Sequence, residues 1–315
     1  MHRSKKENVL LLGGAGFIGI NLILKLIEKD SFNIHVYDKD FSAIEKIKNQ
    51  NSINKIYGNF IEEKNFDRYL KEIDYIVHLI HTTIPGNSET NIIGEIESNI
   101  MSSINLFLSA ARNNIKKIVY ISSGGKIYGD RDNSVPISED SRLDPKCIYG
   151  ISKLMIEKYI DYISNNTGLR YVILRPSNPY GPNFYKTNQL LGLINIALKT
   201  LKEDKGISIW GDGSNIRDYI YIEDLTNAIY KTLLLESRQN HIFNIGSGIG
   251  KSILEVLDMV EKVTNRKIKK DFVNSRNIDI NYNVLDITQA INILNWKPYT
   301  LPEEGIKKTW DWINN

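Results

Sequence analysis

The sequence has 315 residues, of which 40 are Lys or Arg and 37 are Asp or Glu, so its formal net charge is only +3. A chain of this length can bury a sizeable core, and so small and scattered an excess of positive charge gives no reason to expect a nucleic-acid partner. The single cysteine, Cys147, excludes an internal disulfide and favours the cytoplasm, and the lack of a long apolar stretch or signal peptide predicts no membrane span.

Short apolar, strand-like runs alternate with longer helical patterns along the first half of the chain. Strands are predicted over residues 9–12, 33–37, 54–58, 74–80, 117–121, 171–174 and 241–245. Helices are predicted over residues 17–29, 98–113, 152–164 and 223–236, with a further helix-like segment between the second and third strands. Alternating strands and helices favour right-handed crossovers and a parallel sheet with helices on both faces. The predicted fold class is α/β, a doubly wound parallel sheet of Rossmann type.

The pattern of elements changes near Arg175 and Pro176. Beyond this point the predicted elements are shorter, and proline and glycine interrupt them more often. We expect a Rossmann domain over residues 1–175 together with about 223–245, and a smaller substrate-binding α/β subdomain over 176–222 and 246–315. Because no long linker separates the two parts, their boundary is expected to be interleaved.

A glycine-rich turn follows the first predicted strand and opens the first predicted helix. Gly13, Gly16 and Gly19 have the spacing GxxGxxG. In such a turn the first glycine permits a tight bend, the second lets a diphosphate approach the backbone, and the third lets the helix pack against the strand. The helix N-terminus, at Phe17 and Ile18, offers its N–H groups to the phosphates. The spacing alone is weak evidence, but strand, turn and helix occur in the order that a dinucleotide site requires.

Asp38 ends the second predicted strand, about 20 residues beyond the turn. A carboxylate there accepts hydrogen bonds from the hydroxyls of an adenosine ribose and repels a 2′-phosphate, so the predicted cofactor is NAD rather than NADP. Asn59 is predicted to reach the adenine edge, and Leu79 and His81 to line the cofactor trough. The five histidines are scattered without carboxylates or cysteine at ligand spacing, so no metal site is predicted.

Tyr149 and Lys153 are four residues apart where a predicted helix opens. Residues at this spacing share one helical face, so the ammonium lies near the phenol. A tyrosine ordinarily ionises at about pH 10, and a neighbouring ammonium together with a nicotinamide cation favours the phenolate. Tyr149 can then act as a base at neutral pH, while Lys153 also holds the nicotinamide ribose. The pair is common by chance, but the glycine-rich turn and Asp38 make a catalytic role the better interpretation.

These features together resemble the extended short-chain dehydrogenases/reductases, in particular the nucleotide-sugar 4-epimerases, over nearly the whole chain. Residues 175–182 read RPSNPYGP and are similar to the family's RxxNxYGP segment. Residues 210–224 read WGDGSNIRDYIYIED and are similar to its GDGxxxRDYxxVxD segment, and residues 276–279, RNID, are similar to RxGD. The resemblance implies a nucleotide-sugar substrate. It also implies further cofactor contacts at Phe60, Asn99, Ser122 and Pro176.

The resemblance implies substrate-binding roles for a second group of residues. Asn178, Arg217 and Arg276 would hold the diphosphate, and Asp279 the nucleoside ribose. Arginine suits such a role because it presents planar, paired donors to phosphate oxygens. Asn283 stands four residues after Asp279, where strict hexose enzymes of the family have a larger tyrosine. N-acetylated sugars are therefore expected to fit.

The implied reaction is a transient oxidation of the sugar at C4, with Tyr149 as the base. The family usually has Ser or Thr at the position of Gly124, so its second hydroxyl donor is absent here. Ser123 is the predicted catalytic substitute, because the two following glycines let the backbone reposition it. Ser122 and Lys126 are rivals, since they share the face of Gly124 if the strand continues, and water is a further one. Lys126 is also counted among the substrate-binding residues.

Other functions are compatible with the same residues. A reductase of a 4-keto nucleotide sugar would consume reduced cofactor, a 4-epimerase of a lipid-diphosphate-linked sugar would use the same diphosphate site, and a non-catalytic NAD sensor would keep only the fold. Gly125 and Lys126 stand where the family's 4,6-dehydratases carry acids, so dehydration is not predicted. The family also implies a homodimer through helices near 98–113 and 151–164.

Overall fold

The computed structural model of the chain describes residues 6–83, 91–130, 135–183, 192–275 and 280–314. Its central sheet contains the following strands, numbered in chain order: β1 (Glu7–Leu12), β2 (Phe32–Asp38), β3 (Ile53–Tyr57), β4 (Tyr75–His78), β5 (Lys117–Ile121), β6 (Tyr171–Pro176) and β10 (His241–Ile245). All neighbours are parallel, in the order β10-β6-β5-β4-β1-β2-β3. The order reverses between β1 and β4, and open α/β sheets bind ligands at such a point. The predicted doubly wound α/β sheet is confirmed.

Helices cover both faces of this sheet. The described helices of the chain are α1 (Phe17–Lys29), α2 (Asp67–Leu70), α3 (Ile92–Glu95), α4 (Ser102–Arg112), α5 (Ile148–Thr167), α6 (Leu193–Lys202), α7 (Ile222–Leu234), α8 (Ile253–Thr264), α9 (Thr288–Asn292) and α10 (Pro302–Asn314). Of these, α6, α8 and α10 pack against one another rather than on the central sheet. Val9 and Leu11 of β1 lie in the apolar cluster that includes α1 and α7, whereas Leu10 and Leu12 lie in the cluster of α4 and α5. Because both faces are covered, β1 is a continuous apolar run. None of the described helices combines the length and apolarity needed to cross a membrane.

A π-helical segment, Ile96–Met101, joins α3 to α4, so the helical stretch begins before the predicted start at residue 98. Such segments are rare and occur frequently at functional sites. Asn99, within this segment, is buried. Its Oδ1 accepts a hydrogen bond from the Thr82 N–H at 2.8 Å, and its Nδ2 donates to the Thr82 hydroxyl at 2.9 Å. Asn99 thus fixes the loop that follows β4.

The prediction of a helix-like segment between β2 and β3 is wrong. Two short 3-10 turns, Ile44–Lys46 and Gln50–Ser52, occupy this stretch. Asn49 between them has a left-handed backbone, with φ of 64°. Asp40 accepts a hydrogen bond from the N–H of Ser42 at 2.8 Å. Asn, Asp and Ser favour turns over helices because their short polar side chains bond to nearby backbone groups.

Two smaller sheets follow β6 in the chain. In one, β7 (Asn178–Tyr180), β11 (Gly250–Ser252) and β13 (Tyr282–Asn283) each pair with β9 (Ile216–Tyr221). The other consists of β8 (Gly206–Trp210) and β12 (Lys269–Val273). The chain returns to the central sheet in between, because α7 packs against α1 and β10 pairs with β6. The division into two subdomains at the predicted boundaries stays a prediction.

A buried ion pair anchors α5 to β6. The Arg175 guanidinium donates from Nε to Glu157 Oε1 at 3.1 Å and from Nη2 to Glu157 Oε2 at 2.6 Å. Its Nη1 donates to the Tyr128 hydroxyl at 2.9 Å, and that hydroxyl donates to Asn244 Oδ1 at 2.7 Å. A bidentate pair of this kind specifies one geometry. The network therefore fixes α5 relative to β6, β10 and the loop that follows β5.

Candidate active site

The glycine-rich turn between β1 and α1 is tightly closed. Gly13 has a left-handed φ of 80°, and its N–H donates to the carbonyl of Tyr37 at 2.9 Å. A Cβ on Gly19 would lie 2.5 Å from Gly14 Cα, so a side chain there would push α1 away from the turn. No described side chain caps the N-terminus of α1, and its first turn contains no acidic residue. Its N–H groups and positive dipole end are thus suited to an anion such as a diphosphate.

Asp38, at the carboxyl end of β2, faces this turn. Its Oδ2 accepts a hydrogen bond from the Ala15 N–H at 3.0 Å, and its Oδ1 accepts one from the Lys39 N–H at 2.8 Å. Burial raises the pKa of Asp38, and the backbone hydrogen bonds oppose that rise. Each carboxylate oxygen can accept further hydrogen bonds. The close-packed turn and this carboxylate together fit the diphosphate and adenosine ribose of a dinucleotide.

The other predicted cofactor residues lie at different depths. Phe60 is buried among aromatic rings, whereas Asn59 is partly exposed and its amide donates to a nearby glutamate at 2.7 Å. Leu79 is partly buried after β4, and Pro176 is buried at the end of β6. The Ser122 hydroxyl is buried after β5 and has no hydrogen-bond partner among the described residues. A buried, unpaired hydroxyl calls for an explanation, and a bound ligand is one.

Tyr149 and Lys153 lie in the first two turns of α5. The Lys153 Nζ donates to the carbonyl of Ile121, at the end of β5, at 2.8 Å and lies 5.7 Å from the centre of the Tyr149 ring. Burial lowers the pKa of Lys153 to about 7, while the carboxylates of Glu157 and Glu95 raise it. A lysine held this close to a phenol favours the phenolate whenever its ammonium is charged.

The Ser123 side chain contacts Tyr149. Burial raises the pKa of Tyr149, and a side-chain hydrogen bond with Ser123 lowers it. Gly124 has no space for a side chain, since a Cβ there would lie 2.6 Å from Leu285 Cδ1 and 2.9 Å from the carbonyl oxygen of Arg175. The hydroxyl missing at position 124 is therefore excluded by packing, and the preceding serine brings a hydroxyl to the tyrosine instead.

A glutamate that the sequence did not reveal lies behind the predicted trough residue His81. His81 Nε2 is 2.8 Å from Glu95 Oε1, and the His81 ring meets the Tyr149 ring edge to face, with centres 4.6 Å apart. Glu95 is only 1% exposed. It lies before the predicted start of its helix, and no spacing rule links it to a loop residue, so the pair emerges only from the fold.

The small sheet around β9 gathers the predicted substrate residues. Arg217 lies in β9 opposite Asn283 of β13, and β7, which contains Asn178, pairs with the other end of β9. Asn178 donates from Nδ2 to a backbone carbonyl of β9 at 2.8 Å. Asn283 is fully buried, and its Nδ2 donates to the carbonyl of Gly124 at 3.1 Å. Lys126 is partly buried in the turn after β5. Arg276 and Asp279 lie outside the described residues.

Asp218, the neighbour of Arg217, connects this sheet to the loop after β10 and to the segment after β13. The fully buried carboxylate accepts hydrogen bonds from the N–H groups of Ser247 at 2.7 Å, Gly248 at 3.1 Å and Leu285 at 3.3 Å. Burial raises its pKa, and these hydrogen bonds oppose the rise. Asp218 therefore helps to position Leu285, the side chain that closes the space beside Gly124. The sequence motif contains this aspartate but does not indicate its role.

Comparison with known proteins identifies the family. Residues 9–246 match the model of the NAD dependent epimerase/dehydratase family. The chain belongs to this family. Among its relatives, the dTDP-4-dehydro-6-deoxyglucose reductase of Escherichia coli is 34% identical over 97% of both chains, and the UDP-glucose 4-epimerase of Lactobacillus helveticus is 28% identical over 96% of both. The crystal structure of the UDP-glucose 4-epimerase of Thermotoga maritima with UDP-glucose has a TM-score of 0.88 at 28% identity and covers 98% of both chains.

The epimerase/dehydratase family confirms the resemblance predicted from the motifs and, with it, NAD as the cofactor. A glycine-rich turn between a strand and a helix suits the diphosphate of a dinucleotide, and the turn that Gly13 and Gly19 form has this arrangement. The roles of the individual site residues stay predictions.

In this family member, Gly124→Ala is expected to lower the free energy of unfolding by about 1–3 kcal/mol, because the methyl group overlaps Leu285 and the Arg175 carbonyl. Gly125→Ala is the matched control, since the nearest atom to a Cβ there is 3.7 Å away. Urea unfolding measures both variants. Equal stabilities would contradict the packing explanation, and adding Leu285→Ala to Gly124→Ala should relieve the overlap with the leucine while leaving that with the Arg175 carbonyl.

Proposed function

We propose that the protein is an NAD-dependent 4-epimerase of a nucleoside-diphosphate sugar, an isomerase. The observation that carries the proposal is the meeting of Tyr149, Lys153 and Ser123 at the end of β5, in a chain whose relatives include UDP-glucose 4-epimerases. The glycine-rich turn and Asp38 would hold the cofactor, with its nicotinamide ribose near Lys153. When bound, NAD supplies the acceptor and donor of hydride for the sugar C4.

Tyr149 takes the proton from the C4 hydroxyl of the sugar. The Lys153 ammonium stabilises the phenolate that does so, and Ser123 donates a hydrogen bond to the same sugar oxygen. The 4-keto sugar then turns about its diphosphate linkage and presents its opposite face. Tyr149 returns the proton to the C4 oxygen, and the product has the inverted configuration at C4. The same residue thus acts as base and then as acid, so its phenol must lose and regain a proton with similar ease.

The sheet around β9 would bind the diphosphate of the substrate. Arg217 and Asn178 come from paired strands, and a guanidinium and an amide can each donate hydrogen bonds to phosphate oxygens. We extend this role to Arg276, and the ribose role to Asp279, by the predicted family pattern alone. We also keep Asn283 as the residue that leaves room for N-acetylated sugars; its buried Oδ1 has no partner among the described residues.

Reduction of a 4-keto nucleotide sugar is the second candidate function. The relative from Escherichia coli that is 34% identical over 97% of both chains is a dTDP-4-dehydro-6-deoxyglucose reductase. The same tyrosine would then donate a proton to the keto oxygen without taking one back from the sugar. Epimerisation leaves the amount of reduced cofactor constant, whereas reduction of a keto sugar consumes it.

Purified protein should therefore be tested in three separate incubations. The first contains UDP-glucose, the second UDP-N-acetylglucosamine, and the third a dTDP-4-keto-6-deoxy sugar together with NADH. We expect C4 inversion of a UDP-sugar, read by proton NMR, without net change in NADH absorbance. Stoichiometric loss of NADH with the keto sugar and no inversion would favour the reductase instead. Turnover of UDP-glucose that equals or exceeds that of UDP-N-acetylglucosamine would count against the role of Asn283. Tyr149→Phe is expected to abolish either activity while NAD still binds.

Ser123→Ala is expected to lower kcat about 10- to 100-fold, because one hydrogen bond to the reacting oxygen is lost. Ser122→Ala removes the neighbouring hydroxyl, a predicted cofactor contact, and is the matched control: we expect weaker binding of NAD but little change in kcat at saturating NAD. Steady-state rates with a UDP-sugar measure both. If Ser122→Ala proves the more damaging of the two, the second hydroxyl belongs to Ser122.

We also infer that the protein is a homodimer in the cytoplasm. The single cysteine favours this location, and apolar side chains exposed on α4 and α5 favour the dimer. Leu108 of α4 and Ile151, Met155 and Tyr159 of α5 are each 36–43% exposed. Two copies of this helix pair would bury one another in a four-helix contact. Sedimentation of the wild type should give a dimer, and Met155→Glu should dissociate it. Tyr57→Glu is the control, because Tyr57 is 75% exposed on β3, away from α4 and α5, and this variant should stay dimeric. A wild-type monomer would refute the assembly.

A further inference from the structure

The reaction described above gives no part in proton transfer to a buried pair of polar groups beside Tyr149, of which His81 is also predicted to line the cofactor trough. The imidazole of His81 meets the Tyr149 ring edge to face at 73°, with the ring centres 4.6 Å apart. Its Nε2 lies 2.8 Å from Glu95 Oε1, and the two side chains are 6% and 0% exposed. Burying a carboxylate is costly unless hydrogen bonds and charges compensate it. A carboxylate in this position therefore calls for a functional explanation.

Glu95 is tied to both walls of the site. Its Oε2 accepts a hydrogen bond from the Thr83 hydroxyl, in the loop after β4, at 2.5 Å. A side-chain hydrogen bond with Ser152 links it to α5, between Tyr149 and Lys153. Although burial raises the pKa of Glu95, the hydrogen bonds from His81 and Thr83 hold it below its ordinary value. Glu95 is thus an ionised carboxylate at neutral pH.

The protonation state of His81 follows from this contact. An ionised carboxylate only accepts hydrogen bonds, so Nε2 carries the proton that points at Glu95. Burial, together with the charge of Lys153, lowers the pKa of His81 to about 4, despite the opposing effect of Glu95. The imidazole is therefore neutral in the working range of pH. Its Nδ1 is buried without a partner among the described residues.

The charge of Glu95 acts on the reacting groups. It raises the pKa of Tyr149 and that of Lys153, in each case as a smaller effect than burial. Other titratable groups around the pair are His78 on β4, which burial keeps neutral, Tyr120 on β5, whose pKa burial and Glu95 both raise, and Cys147 just before α5. Glu157, one turn beyond Lys153, acts on the lysine. Glu95 is thus a negative charge that faces Tyr149 through a neutral imidazole.

We propose that His81 and Glu95 are a positioning pair for Tyr149, in which the imidazole fixes the orientation of the phenol and the carboxylate limits how easily that phenol loses its proton. The inference rests on the proposed role of Tyr149 as base and acid. Lys153 favours the phenolate, and Glu95 opposes it. A tyrosine that must return a proton in each turnover needs both influences, because too stable a phenolate would not give an acid.

The test is Glu95→Gln in the NAD-loaded protein. Glutamine keeps the shape and can still accept the His81 hydrogen bond, but it removes the negative charge. Loss of a negative charge favours proton loss from every nearby group, so the pKa of Tyr149 should fall by about one pH unit. The acid limb of the kcat/KM profile should move to lower pH by the same amount. The phenol itself is titrated by tyrosinate absorbance, as the difference from the same protein carrying Tyr149→Phe.

Glu97→Gln is the matched control, because it makes the same charge change two residues away on an exposed side chain. It should leave the Tyr149 titration where it is. A second variant guards against misfolding of the first: His81→Phe keeps a ring against Tyr149 but removes the donor to Glu95. Loss of this donor raises the pKa of Glu95, but the carboxylate is still ionised at the alkaline pH where the phenol titrates. Its less compensated charge should therefore raise the pKa of Tyr149 in the tyrosinate titration, which is the measurement compared between the two variants.

Opposite shifts in the two variants support the positioning pair. An unchanged Tyr149 titration in Glu95→Gln, or shifts in the same direction in both variants, would overturn it, even if melting temperatures fall. The proposed function fails separately: if the wild type turns over no nucleotide sugar, the kinetic profiles vanish, but the tyrosinate titrations still report whether Glu95 controls the phenol.

Discussion

The orientation of helix α5 depends on the ion pair between Arg175 and Glu157. Both side chains are 3% exposed, and removal of either partner from such a pair typically costs about 3–5 kcal/mol. Glu157 is one turn beyond Lys153, which is one turn beyond Tyr149, so the pair fixes the same helical face that carries the reacting groups. The guanidinium also holds the Tyr128 hydroxyl at 2.9 Å, and thereby the loop in which Ser123 lies. One buried contact thus sets the distance between the two halves of the site.

The parts of the molecule that could be read from the sequence are those fixed by local rules. Continuous apolar runs predicted the strands of the central sheet, because a sheet covered on both faces needs no polar alternation. The glycine-rich turn could be predicted from its glycine spacing, because the close approach of α1 to the turn leaves no space for a side chain at Gly19. The four-residue spacing of Tyr149 and Lys153 sufficed to place them on one helical face. Where short polar residues compete with a helix, as around Asn49, periodicity misled.

The remaining features depend on contacts between distant parts of the chain. Glu95 meets His81 only because the π-helical segment and Asn99 hold the loop after β4 against it. Leu285 reaches Gly124 because Asp218 binds the backbone of both the loop after β10 and the segment after β13. No periodic pattern or motif in the sequence indicates the contact between Glu95 and His81 or the contact between Leu285 and Gly124. Such contacts can be found only once the topology has brought the elements together.

The packing of Leu285 against Gly124 also couples two positions that are distant in the sequence. A serine or threonine at 124 would overlap both Leu285 Cδ1 and the carbonyl oxygen of Arg175, so a smaller residue at 285 removes only part of the conflict. The effects of substitutions at 124 and 285 on stability are therefore expected to be non-additive. A search for relatives with this arrangement should accordingly look for covariation between the strand-end glycine and the residue at 285, and not for a hydroxyl at a fixed spacing.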